Sequence, residues 1–91
     1  MNITTVNGTA PLNFSPESGV AVSTHGNAEN FVWSIQKSLN NGTTWVAMKD
    51  ALGATSFTGS GDFVLTPVGT ALYRVIVTSL GTATSVLVST N

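Results

Sequence analysis

One histidine, four carboxylates, three cations and no cysteine are all that this 91-residue chain offers for acid–base, nucleophilic or metal chemistry. His25 stands in "THGNAEN" with Glu29 close by. A metal ion wants several histidine, cysteine or carboxylate ligands converging on one point, and a single histidine among glycine and asparagine reads as an exposed loop residue. Without cysteine there is no thiolate to bind metal or attack a substrate, and no disulfide framework. Ser38, His25 and Asp50 supply the residue types of a nucleophilic triad, but there is no nucleophile elbow and serines are so frequent that the match carries no weight. Paired carboxylates for glycoside hydrolysis would have to come from Glu17, Glu29, Asp50 and Asp62. All four fall in predicted turns or at strand ends, where solvated acids belong. "GSGD" at 59–62 leads into a strand rather than a helix, so it is no phosphate loop. The expectation is a protein that is not an enzyme, with no catalytic, cofactor-binding or metal residue and no cofactor.

The charge pattern narrows the partners. Only 8% of the residues are charged, against about 25% in an ordinary soluble domain. Lys37, Lys49 and Arg74 cannot track a phosphate backbone, which argues against nucleic acid. No run approaches transmembrane length, which argues against a membrane role. The opening "MNITTVNGTAPLNFSP" has neither a basic start nor a continuous apolar stretch and does not read as a signal peptide. Met1 and the short length fit a complete small gene product. Asn2, Asn7, Asn13 and Asn41 each begin an Asn-x-Ser/Thr triplet, expected by chance in so hydroxyl-rich a chain. Hydrophobic residues make up 42%, well above a disordered composition. The polar remainder is mostly Thr, Ser, Asn and Gly, a nearly neutral surface with little self-repulsion.

These residues must be held by strands. "FVWSIQKSL", 31–39, alternates: Phe31, Trp33, Ile35 and Leu39 face one way, Ser34, Gln36 and Ser38 the other, with Lys37 the exception on the apolar face. "ALYRVIVTS" (71–79) and "ATSVLVS" (83–89) flank "LGT" and predict a hairpin turning at Gly81. Tyr73, Val75 and Val77 share one face of the first, and Leu72, Arg74 and Ile76 the other. Weaker strands are expected over 3–6, 19–23, 45–48, 55–58 and 62–66. Gly8, "SPESG" (15–19), "HGN" (25–27), "GSG" (59–61) and "PVG" (67–69) punctuate them. No window holds a helical apolar stripe; "MKDALGA" (48–54) could make one turn. Seven to eight short strands imply an all-β, single-domain antiparallel β-sandwich over 1–91, immunoglobulin-like or jelly-roll-like. Trp33 would fill its centre. The aromatic residues Trp33, Phe31 and Tyr73 read as core, while Trp45 and Phe57 lie near turns and are the two that could be exposed.

Between two apolar runs lies "SLNNGTTW", 38–45. It resembles the Asp-box of sialidases and related propellers, Ser-x-Asp-x-Gly-x-Thr-Trp: Ser38, Gly42, Thr44 and Trp45 match, and Asn40 stands where the motif has Asp. In that family the motif is structural, so the resemblance implies a corner at Asn40-Asn41-Gly42 with Trp45 pinning the next strand. One copy in so short a chain excludes a propeller. The segments "VWSIQKSLNNGTTWVAM" (32–48) and "ALYRVIVTSLGTATSVLVS" (71–89) together resemble small virion structural proteins of tailed bacteriophages. That resemblance implies a β-sandwich that decorates or cements a capsid: a capsid decoration protein on the virion surface. It would bind the major capsid protein and act as a homo-oligomer, a trimer favoured. The alternatives are a glycan-binding or accessory module of a tail or fibre, and a stand-alone host-interaction protein.

Overall fold

The computed structural model describes residues 2–12, 20–65 and 71–90. Among the described residues the chain is all-β, with nine strands: β1 Asn2–Ile3, β2 Gly8–Leu12, β3 Val20–Gly26, β4 Val32–Ser38, β5 Val46–Ala47, β6 Phe57–Thr58, β7 Gly61–Leu65, β8 Leu72–Ser79 and β9 Val86–Thr90. They form two antiparallel sheets packed as a sandwich. The four-stranded sheet has the order β1-β9-β3-β7; the five-stranded sheet has β2-β8-β4-β5, with β6 also paired to β4.

Period-two burial explains which residues fill the space between the sheets. Trp33 and Ile35 on β4 face Val77 and Val75 on β8, and Val22 on β3 faces Phe63 on β7. These side chains, with Phe31, Leu65, Tyr73, Val86 and Val88, form one buried cluster. Trp33 occupies the expected central place. Its indole N–H donates to the Gly59 carbonyl at 2.8 Å, satisfying the only polar atom of a ring that is 2% exposed. Phe57 leans on Trp33 with ring centroids 4.9 Å apart and on Phe63 at 5.6 Å. It is therefore a core neighbour rather than an exposed aromatic.

Several sequence expectations are corrected. The segments 71–79 and 83–89 do not form a hairpin: β8 lies in the five-stranded sheet and β9 in the other, so the connection crosses the sandwich. This also departs from the immunoglobulin order, in which the last two strands share a sheet. Gly8 opens a strand instead of punctuating one, because β2 pairs along β8 from Gly8↔Val77 to Leu12↔Tyr73. Pro11 is tolerated there because β2 is an edge strand. "HGN" is strand as far as Gly26. Leu39 lies one residue past β4 and is 76% exposed, so it does not extend the apolar face. "MKDALGA" holds a turn capped by Asp50, whose Oδ1 accepts N–H bonds from Leu52 at 2.9 Å and Ala54 at 2.8 Å. The expectations that rest on "SPESG", "PVG", Glu17 and Asn13 lie outside the described residues.

Candidate functional site

The residues flagged for catalysis are held apart. Ser38 ends β4, whereas Gly26 beside His25 lies against Phe31 at the strand's start, as a Cβ at Gly26 would sit 2.5 Å from the Phe31 ring. A seven-residue strand spans about 20 Å, so Ser38 and His25 belong to opposite ends of the sandwich. Asp50 serves its own turn, and the Asp62 carboxylate takes the Ser23 hydroxyl at 2.6 Å. Glu29 accepts both the Ser60 amide at 3.0 Å and the Ser60 hydroxyl at 2.7 Å. Those two bonds hold its carboxyl below the ordinary glutamate value, with a smaller push from His25. Among the described residues no three His, Cys, Asp or Glu side chains gather as a metal cluster.

What the geometry does bring together lies on the outer face of the five-stranded sheet. It begins at the corner after β4. The Ser38 hydroxyl donates to Asn40 Oδ1 at 3.0 Å and accepts the Gly42 N–H at 2.8 Å. Asn40 Oδ1 also accepts the Thr44 N–H at 2.8 Å. The side-chain carbonyl of Asn40 thus performs the turn-closing role that the motif gives to Asp. Asn41 and Gly42 follow at φ 61° and 90°, the left-handed region that asparagine and glycine tolerate best. The corner then returns Trp45 over the sheet, with its indole N–H on the Gly42 carbonyl at 3.0 Å.

Trp45 meets Arg74 there. The guanidinium carbon sits 4.0 Å from the indole centroid, a cation–π stack. Arg74 Nε donates to Gln36 Oε1 at 2.7 Å, across the pair that β8 makes with β4. Stack and hydrogen bond together fix an otherwise flexible side chain. The same face carries Leu72, 41% exposed, and Ile76, half-buried, two residues either side of Arg74. On the neighbouring strand β2 it carries Pro11 and Thr9 opposite Arg74 and Ile76. Beside the corner, Lys37, Leu39, Asn40, Thr44 and Val46 line an open groove of about 340 Å³.

The outward residues of the four-stranded sheet also include apolar ones. Val64 on edge strand β7 is 72% exposed and Leu87 on β9 is 44% exposed. Sequence reasoning recognised the corner, Trp45 and the outward position of Arg74, but not the Gln36–Arg74–Trp45 stack. That stack depends on the β4–β8 register, which joins segments 38 residues apart and leaves no local signal. Compared with family models, characterised proteins and solved structures, the chain has no significant match to any of them.

Proposed function

We propose that this chain is a non-enzymatic virion structural protein of the tailed-phage capsid decoration type, bridging major capsid subunits at the capsid surface. The observation that carries the reading is the exposed apolar residues on the outward faces of both sheets: Val64, Leu87 and Leu72 where a free monomer would place polar groups. They sit on a chain with few charges to keep neighbours away. Burying them against a lattice, or in a trimer seated on it, would stabilise both the small domain and the particle. Each bound copy raises the free energy needed to separate the subunits it spans. The resemblance in segment 32–48 supplies the phage context; the one in 71–89 was to a closing hairpin, which these strands do not make.

The test is cosedimentation of the purified chain with capsids that lack it, together with a gel of purified particles. Saturable binding and many copies per particle are expected. Failure to bind such capsids would overturn the cement reading. A second reading, a glycan-binding or accessory module of a tail or fibre, is favoured by one observation. Half-exposed Trp45 lies at the corner whose Asn40 and Thr44, with Lys37, line the open groove. Few copies per particle, with glycan binding lost in Trp45→Ala, would establish it instead.

A further inference from the structure

The two sheets carry opposite charge. The described strands of the five-stranded sheet contain Arg74 on the outer face and Lys37 on the side of β4 that carries Trp33 and Ile35, but no aspartate or glutamate. Those of the four-stranded sheet contain Asp62 but no lysine or arginine. Arg74 stands on a partly apolar face, immobilised by Trp45 and by its Nε bond to Gln36. That bond leaves the two terminal nitrogens of the guanidinium, the fork that grips a carboxylate, without a partner among the described residues. The fork is held in place before any partner arrives, so little side-chain entropy remains to be lost on binding.

Among the described carboxylates, Glu29 has both oxygens on Ser60 and Asp50 caps its own turn. Asp62 is exposed, gives one oxygen to Ser23, and shares the outward face of edge strand β7 with exposed Val64. An acid and an apolar residue two apart on one sheet therefore match a guanidinium flanked by Leu72 and Ile76 on the other.

We propose that the outer face of the five-stranded sheet is a receptor for a second copy of this chain, Arg74 taking the neighbour's Asp62 in a bidentate pair while Val64 of that copy packs beside Leu72 and Ile76. The contact is head-to-tail, so it closes into a ring such as a trimer if the rotation allows and otherwise propagates. It deepens the self-association invoked above and rests on that part of the reading.

Sedimentation velocity of the free chain over a concentration series tests it without any capsid. The wild-type chain should associate as concentration rises, and less at high salt. Arg74→Glu and Asp62→Arg should each weaken association at least tenfold. Arg74→Lys, which keeps the charge but not the fork, should fall between them and wild type. A 1:1 mixture of the two reversed variants should recover at least tenfold over either alone, since each supplies the charge the other lacks. Matching urea midpoints for all four chains keep a folding defect from imitating the result. A wild-type chain that stays monomeric, single variants that associate like wild type, or a mixture that does not recover would each overturn the proposal. Capsid cosedimentation is a separate readout: a free monomer that still binds capsids removes this contact and leaves the cement reading standing.

Discussion

Trp33 and Trp45 show how the same residue type does two jobs. Trp33 is enclosed on β4 with its indole bond to Gly59, while Trp45 is half-exposed and pinned to Gly42. Trp33→Ala removes a ring from the centre of a close-packed core, at a cost of about 3–5 kcal/mol. In a small domain whose whole stability is on the order of 5–15 kcal/mol, that is a large share of the total. Urea melts should show Trp33→Ala largely unfolded or with a far lower midpoint, and Trp45→Ala displaced much less. Asn40 gives a finer check on the corner. Asn40→Ala removes the acceptor for Ser38 and Thr44, a loss of about 1–2 kcal/mol. Asn40→Asp keeps that acceptor and should melt within error of wild type; equal losses for the two would show that the oxygen is not what closes the turn.

Part of the strand pattern was legible because burial has period two: Tyr73, Val75 and Val77 of β8 and Trp33 and Ile35 of β4 were read as inward from alternation, whereas β2 was not foreseen, and Ser34 and Ser38 on the other side of β4 are buried too. Which strand pairs with which was not legible. "LGT" has the composition of a hairpin turn, yet residues 80–85 carry the chain from one sheet to the other. Their polar groups are tied to the 27–30 loop instead: Asn30 Oδ1 accepts the Thr82 N–H at 3.0 Å, and Asn27 Oδ1 accepts the Thr84 N–H at 2.9 Å. Gly81 is required by that crossing. At φ 58° an added Cβ would lie 2.5 Å from the Asn30 carboxamide carbon. Gly81→Ala should therefore cost more than the strain of about 1 kcal/mol from left-handed backbone alone, visible as a lower melting temperature. The same loop binds the 59–61 turn through Glu29 and Ser60. Because the folded state lowers the Glu29 pKa, its contribution is present at neutral pH. It is lost as pH falls through the usual carboxylate range and below. Glu29→Gln should flatten the acid limb of a stability-against-pH curve, and an unchanged limb would remove Glu29 from that role.

Over the whole molecule, what the sequence made legible was a composition: apolar enough to fold and too sparsely charged to repel its neighbours. The placement of the residual charge emerges only once the strands are assigned to sheets. It puts Lys37 and Arg74 on one sheet and Asp62 on the other, with Val64, Leu87 and Leu72 exposed on their outward faces. A chain built this way should be more stable when bound than when free. Binding that is specific to the folded state adds RT ln(1 + [L]/Kd), about 2.7 kcal/mol at a partner concentration a hundredfold above Kd. If the chain binds capsids as proposed, it should lose its native tryptophan fluorescence at a higher temperature there than in solution. The capsid itself should disassemble at a higher temperature with the chain than without it. The two shifts are linked, since one contact stabilises both partners. Adding NaCl should shrink both together if ion pairs with the capsid carry the contact, because exposed ion pairs are screened within about 8 Å at physiological salt and 3 Å at 1 M. Shifts that survive 1 M salt undiminished would assign the contact to the apolar residues alone, and no shift in either partner would overturn the proposed capsid-stabilising role.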